Sequence, residues 1–174
     1  MKNVKDMTRI ALFAAVIAVC SLITIPLPSG IPVTLQTFAV ALAGFMLGWK
    51  GGTISVAVYL AIGAVGVPVF SGFTGGIAKF AGVTGGYLWG FLLMALLCGL
   101  MPRKRRVLSA ALSLLGLACC HAAGTFQFAI ISGSSPVTAF MTCSAPYLIK
   151  DILSVVLAYM TAEIVERSLR LRRA

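Results

Sequence analysis

Between Arg9 and Arg103 the only charged side chains are Lys50 and Lys79, and between Arg106 and Lys150 there is only the single histidine, His121. Stretches so poor in charge cannot coat a water-soluble surface, since soluble domains carry roughly 25% charged residues. Here 10% are charged and 60% hydrophobic, with a mean hydropathy of +1.04. That excludes an ordinary soluble globule, a disordered region and a secreted disulfide scaffold. The chain reads as one all-α integral membrane domain over residues 1–174, embedded in the lipid bilayer. At ~20 residues per span its length accommodates about six.

Apolar runs separated by turn-forming residues set the expected spans at about 8–25, 35–49, 53–67, 87–101, 107–131 and 146–165. The breaks are the proline-rich stretch Pro26–Pro32, Lys50-Gly51-Gly52, the glycine-rich segment Pro68–Gly86, Arg103-Lys104-Arg105-Arg106, and Ser132–Pro136. The second and fourth spans reach only ~22 Å as helices, short of a ~30 Å hydrocarbon core, and must lean on their flanks. The opening residues mimic a signal peptide, but no small-residue cleavage site precedes a polar region, so they read as the first span.

The net charge of +10 does not point to nucleic acid. Eleven of the 14 Lys and Arg lie in three clusters, at residues 2–9, 103–106 and 167–173, each flanking an apolar run. With both termini cytoplasmic, these clusters and Lys50 fall inside, leaving only Lys79 and Lys150 towards the outside. The five cysteines form no CxxC pair and sit in apolar runs, as small hydrophobes rather than metal ligands or disulfides.

Segments 26–36 and 68–86 are apolar yet rich in Pro and Gly. Irregular backbone cannot face lipid with its amides unpaired, so it is buried in protein or lines a cavity. Two such segments on one side predict an outward-facing pocket with a lid.

Ionisable groups at membrane depth are functional candidates by default. Asp151, one turn into the last span, is either a ligand contact or an ion-pair partner between helices. Lys150 reads as a residue snorkelling to the interface. Lys79 either faces an anionic ligand group or is a solvated loop charge. His121, Gly124 and Gln127 share a helix face that suits a pocket or helix packing equally. Glu163 and Glu166, among arginines, read as surface pairs. Ala11, Ala14, Ala15 and Ala18 form small-xxx-small pairs, fitting another helix or internal packing. No nucleotide-binding or hydrolase motif is present, and four scattered acids make no catalytic constellation, so the chain is not read as an enzyme. A small intramembrane enzyme would need paired acids or a nucleophile and base at one depth. A channel-like oligomer would need a polar stripe along a whole span.

Gly66-Val67-Pro68-Val69-Phe70, Gly75-Gly76 and Gly82-Val83-Thr84-Gly85-Gly86-Tyr87-Leu88 resemble the central signature of the BioY family, the biotin-binding S components of energy-coupling-factor (ECF) transporters. The resemblance extends to Ile31–Thr37, to His121 with Gly124, and to Pro146-Tyr147-Leu148 leading to Asp151. Val83 stands for the usual proline, Lys150 for a glycine, Ser154 for a lysine and Gln127 for a tryptophan. The resemblance implies a six-helix S-component fold in a bacterial plasma membrane, with biotin as cargo and no cofactor. It also implies partners: a transmembrane coupling subunit, docked on Ala11, Ala14, Ala15 and Ala18, and two ATPase subunits. Loop 26–36 would be the lid. Asp151 would accept from the ureido ring, and Lys79 with the Gly75-Gly76 backbone would hold the carboxylate, Lys150 being the other candidate. Phe70, Tyr87 and His121 would form the apolar wall, with Gln36 adding an amide. An S component for another vitamin is the nearest alternative.

Overall fold

The computed structural model of the chain describes residues 4–25, 32–100 and 105–171. Among these, six helical elements follow in order: α1 (Val4–Leu22), α2 (Gln36–Ala64), α3 (Gly85–Leu100), α4 (Arg106–Ser132), α5 (Pro136–Cys143) and α6 (Ala145–Leu171). A short antiparallel ladder joins β1 (Thr24–Ile25) to β2 (Val33–Thr34). Loop tip residues 26–31, most of the expected lid, and Arg103-Lys104 lie outside the described residues.

α2 is two antiparallel legs. Gly48 has φ 71° and ψ 176°, a conformation essentially reserved for glycine. A straight helix would separate Gln36 from Tyr59 by ~34 Å. Instead Gln36 Nε2 donates to the Tyr59 hydroxyl at 2.7 Å. Across the same fold, a Cβ on Gly52 would stand 2.7 Å from Gly44 Cα, so the second leg needs glycine there for the backbones to meet, while a Cβ on Gly44 would stand 2.6 Å from the Ala95 carbonyl of α3. The reversal expected at Lys50-Gly51-Gly52 thus sits earlier, and those three residues are helical. Position 48 takes the turn because it alone there adopts a positive φ.

The α2 hairpin packs against α1, α3 and α6, and α4 packs against α3 and α5. The core runs through Ile17, Val40, Val56, Tyr59, Met94 and Ala158. Outward faces are apolar as well: Phe126 is 70% exposed and Ile149 75%. Polar Gln36, Ser113, His121 and Asp151 are buried. An apolar exterior around buried polar groups is the arrangement of a membrane protein. Val107–Ser132 is long and apolar enough to cross a bilayer, with a mean hydropathy of 1.8, and Gln36–Ala64, at 1.4, is apolar too but folds into two shorter legs.

α1 buries Ile10, Ala14, Ile17 and Ser21, one stripe at helical spacing. The small-residue face therefore divides. Ala14 is buried and Ala18 is half-buried against the core, whereas Ala11 and Ala15 are exposed.

The two ends of the bundle differ. The Gly48 turn, the start of α1, the end of α3, the start of α4 and the end of α6 share one end. At the other lie the β1–β2 arm, the segment 65–84 and α5. α5 occupies a stretch where no element was expected. Ser135 caps it, its hydroxyl accepting from Thr138 N at 3.2 Å, and Pro136 fills the first turn.

Candidate functional site

At the irregular end a cavity enclosing about 650 Å³, its open mouth included, sits among the helices. Three helices each line it with a stripe at i, i+3, i+4 spacing. α4 contributes Leu117, Cys120 and His121, and α6 contributes Tyr147, Lys150 and Asp151. From α3 and the residue before it come Thr84, Tyr87, Leu88 and Phe91. Pro32, Thr34, Gln36, Thr37, Ser71 and Cys143 complete the lining.

The polar groups form one connected chain. Asp151 is buried, with His121 Nε2 3.2 Å from its Oδ2 and the Lys150 ammonium on its Oδ1. Lys150 Nζ also donates to the Thr34 carbonyl at 3.1 Å, tying α6 to the base of the 26–36 loop. The other imidazole nitrogen, Nδ1, lies 3.0 Å from Ser144 Oγ. Ser144 Oγ in turn meets Thr125 Oγ1 and Tyr87 Oη, each at 2.8 Å. The Tyr87 hydroxyl donates to the Cys143 carbonyl at 2.6 Å. A carboxylate and an ammonium side by side in a cavity can take a ligand carrying both hydrogen-bond donors and an anionic group. Among the described residues, no cluster of three His, Cys, Asp or Glu side chains is gathered as a metal would require.

Of the residues expected at a pocket, Asp151, Gln36, Tyr87 and His121 line this cavity. Phe70, Gly75, Gly76 and Lys79 do not. Phe70 is buried in an aromatic stack, 5.5 Å from the Tyr59 ring and 5.8 Å from Phe80. Gly75 packs on the Gly66 and Val67 carbonyls, and Gly76 N donates to the Gly63 carbonyl at 2.7 Å. Lys79 ends a 3-10 turn, Ile77–Lys79, half-exposed and outside the lining. Lys150 is the cation at the cavity: its four-carbon stem lets the ammonium curve back to the neighbouring carboxylate, whatever direction its Cβ takes. The His121 face does both things foreseen for it. His121 faces the cavity, while Gly124 admits the Tyr87 ring and Gln127 Nε2 donates to the Phe80 and Gly82 carbonyls at 2.7 and 2.8 Å. Ser144, unsuspected from sequence, carries one signal in retrospect: it lies seven residues before Asp151, two helical turns away on the same face.

The BioY family's sequence model matches residues 1–171. A probable biotin transporter BioY of Pyrococcus horikoshii is 38% identical over 159 residues, covering 91% of this chain and 94% of the relative. The biotin transporter BioY of Thermotoga maritima is 41% identical, covering 70% and 73%. A crystal structure of the S-component for biotin from an ECF-type ABC transporter superposes with a TM-score of 0.85 at 28% identity, over 96% of this chain and 95% of that one. Match to the family over nearly the whole chain, with the fold of a solved S-component, places it: the chain belongs to the BioY family.

Proposed function

We propose that this chain is the biotin-capturing S component of an ECF-type transporter. The observation that carries the reading is the buried Asp151 carboxylate with the Lys150 ammonium beside it, in a cavity at the irregular end of an S-component fold. Biotin's ureido ring offers two N–H donors, which a carboxylate accepts; its valerate is an anion, which an ammonium attracts. Tyr87, Leu88, Phe91 and Leu117 suit the thiophane ring and alkyl chain. Lys150 takes the carboxylate role ahead of Lys79, because it lies on the cavity and Lys79 does not.

Six passes follow if each α2 leg crosses once, with α5 at the outer surface. Both termini are then cytoplasmic, and Lys50 at the Gly48 turn joins the inner end, in keeping with the positive-inside pattern. Loop 26–36 closes over the cavity as a lid, its base held by the β1–β2 ladder and the Lys150–Thr34 bond. A transmembrane coupling subunit docks on the exposed Ala11 and Ala15, and two ATPase subunits supply the energy from separate chains. The small molecule that co-purifies with the detergent-solubilised chain tests the reading by mass spectrometry. Biotin is expected; thiamine or riboflavin in its place contradicts it.

A further inference from the structure

Ser144 lies behind the cavity wall and touches no part of the open space, yet it holds the histidine that does. It is fully buried and is not part of the lining. Both neighbouring helices fix its backbone: its amide donates to the Phe140 carbonyl at 3.0 Å, and its own carbonyl accepts from Tyr147 N and Leu148 N at 3.0 and 3.1 Å. Its hydroxyl has one proton and two lone pairs. Tyr87, Thr125 and His121 make three close partners and saturate it, with the Cys143 thiol a weak fourth at 3.9 Å. No capacity is left for a ligand, so any part Ser144 plays in binding passes through another residue.

That residue is His121. Ser144 and Asp151 stand two turns apart on one face, ~10 Å along the axis. The imidazole from α4 spans the gap between them, Nδ1 on Ser144 and Nε2 on Asp151. With both nitrogens engaged the ring can neither flip nor rotate, and the edge it turns to Asp151 Oδ2 is set by the hydroxyl behind it. We propose that Ser144 is a positioning residue for ligand capture: it fixes the orientation of His121, and so determines how the Asp151 carboxylate is presented to the cavity. This rests on the reading of the cavity as a biotin site.

The test measures biotin dissociation constants for the full chain in detergent as wild type, Ser144→Ala, Ser144→Cys, His121→Phe and the Ser144 variants combined with His121→Phe. Ser144→Ala is expected to weaken binding about 3- to 10-fold, the loss of one net hydrogen bond. Ser144→Cys nearly preserves volume but hydrogen-bonds weakly, so it should also weaken binding, whereas a role in packing alone predicts wild-type affinity. In the His121→Phe background neither substitution should add a further loss. The ring nitrogens of His121, followed by 15N NMR, should change environment in Ser144→Cys. Losses that persist undiminished in the His121→Phe background, or a His121 spectrum that does not respond, overturn the proposal. A wild-type chain that binds no biotin instead overturns the reading beneath it.

Discussion

The segment Val65–Thr84 and the stretch Cys143–Asp151 both border the cavity, but they satisfy their polar groups in opposite ways. Along 65–84 the polar atoms are mostly backbone, consumed within the frame. Phe70 N bonds the Thr74 carbonyl, Gly76 N the Gly63 carbonyl, and the Gln127 amide caps Phe80 and Gly82. Only Ser71 and Thr84 reach the cavity. Along 143–151 the backbone is largely helical and self-satisfied, which leaves the side chains of Ser144, Tyr147, Lys150 and Asp151 to engage partners from other elements. The first region is built as a scaffold; the second, on the proposed function, would carry the ligand contacts. A motif dense in glycine thus marks where backbones must meet closely, and of the glycine-rich signature only Thr84, Tyr87 and Leu88, at its end, face the cavity.

Substitutions in the two regions should therefore fail in different ways. The largest effect is expected from Gly63→Val, beneath the scaffold. A Cβ there would stand 2.1 Å from the Phe70 ring, inside a stack that continues through Phe80 to Trp89. Overpacking of this kind costs ~1–3 kcal/mol. Thermal unfolding in detergent should show the loss, while the fraction that remains folded binds biotin with near-normal affinity. If affinity falls and stability does not, the segment touches the ligand directly and the division of labour is wrong.

Next comes Lys150→Met, in the chemical region. Losing one charge-assisted hydrogen bond to the ligand's carboxylate costs about 2 kcal/mol, roughly 30-fold in dissociation constant. Biotin amide, with no tail charge to pair, should lose much less. Equal losses for the two ligands would show that Lys150 serves Asp151 and the lid base alone. The smallest effect is expected from Lys79→Met. A half-exposed side chain outside the cavity should change either affinity less than ~2-fold, as surface substitutions away from a site do. A selective loss of biotin over its amide in this variant would return the carboxylate to Lys79.

These contrasts follow the line between what the sequence made legible and what it did not. Helical elements were readable because apolar runs and charge clusters are long-range signals that no single residue can obscure. Asp151 and His121 stood out because ionisable groups at membrane depth are rare, whereas Gln36 and Tyr87 came only with the family resemblance. Lys79 and Phe70, expected at the pocket, lie outside its lining, because a charge or an aromatic ring beside a glycine motif has no direction in sequence; direction comes from the turn that Gly76 and its neighbours make. Lys150 was only the second candidate for the carboxylate, because the reach of a flexible stem is not set by its Cβ. Ser135-Pro136 looked like a break and is one, but it is also the cap and first turn of α5, too short a helix for periodicity to reveal. Ser144 was invisible because a serine hydroxyl acquires meaning only from three partners on two other helices.

Asp151 is where the account stands or falls, and titration of biotin into the purified chain, wild type against Asp151→Asn, addresses it most directly. The substitution keeps the side chain's size and one acceptor but removes the charge. A hydrogen bond to a charged group contributes ~1.5–3 kcal/mol against ~0.5–1.5 for a neutral one, so the variant should bind ~5- to 30-fold more weakly. Biotin and biotin amide should weaken by the same factor, since they share the ureido ring. Saturable binding by the wild type with that common loss is the predicted result. An Asp151→Asn chain that binds biotin as tightly as the wild type would contradict it.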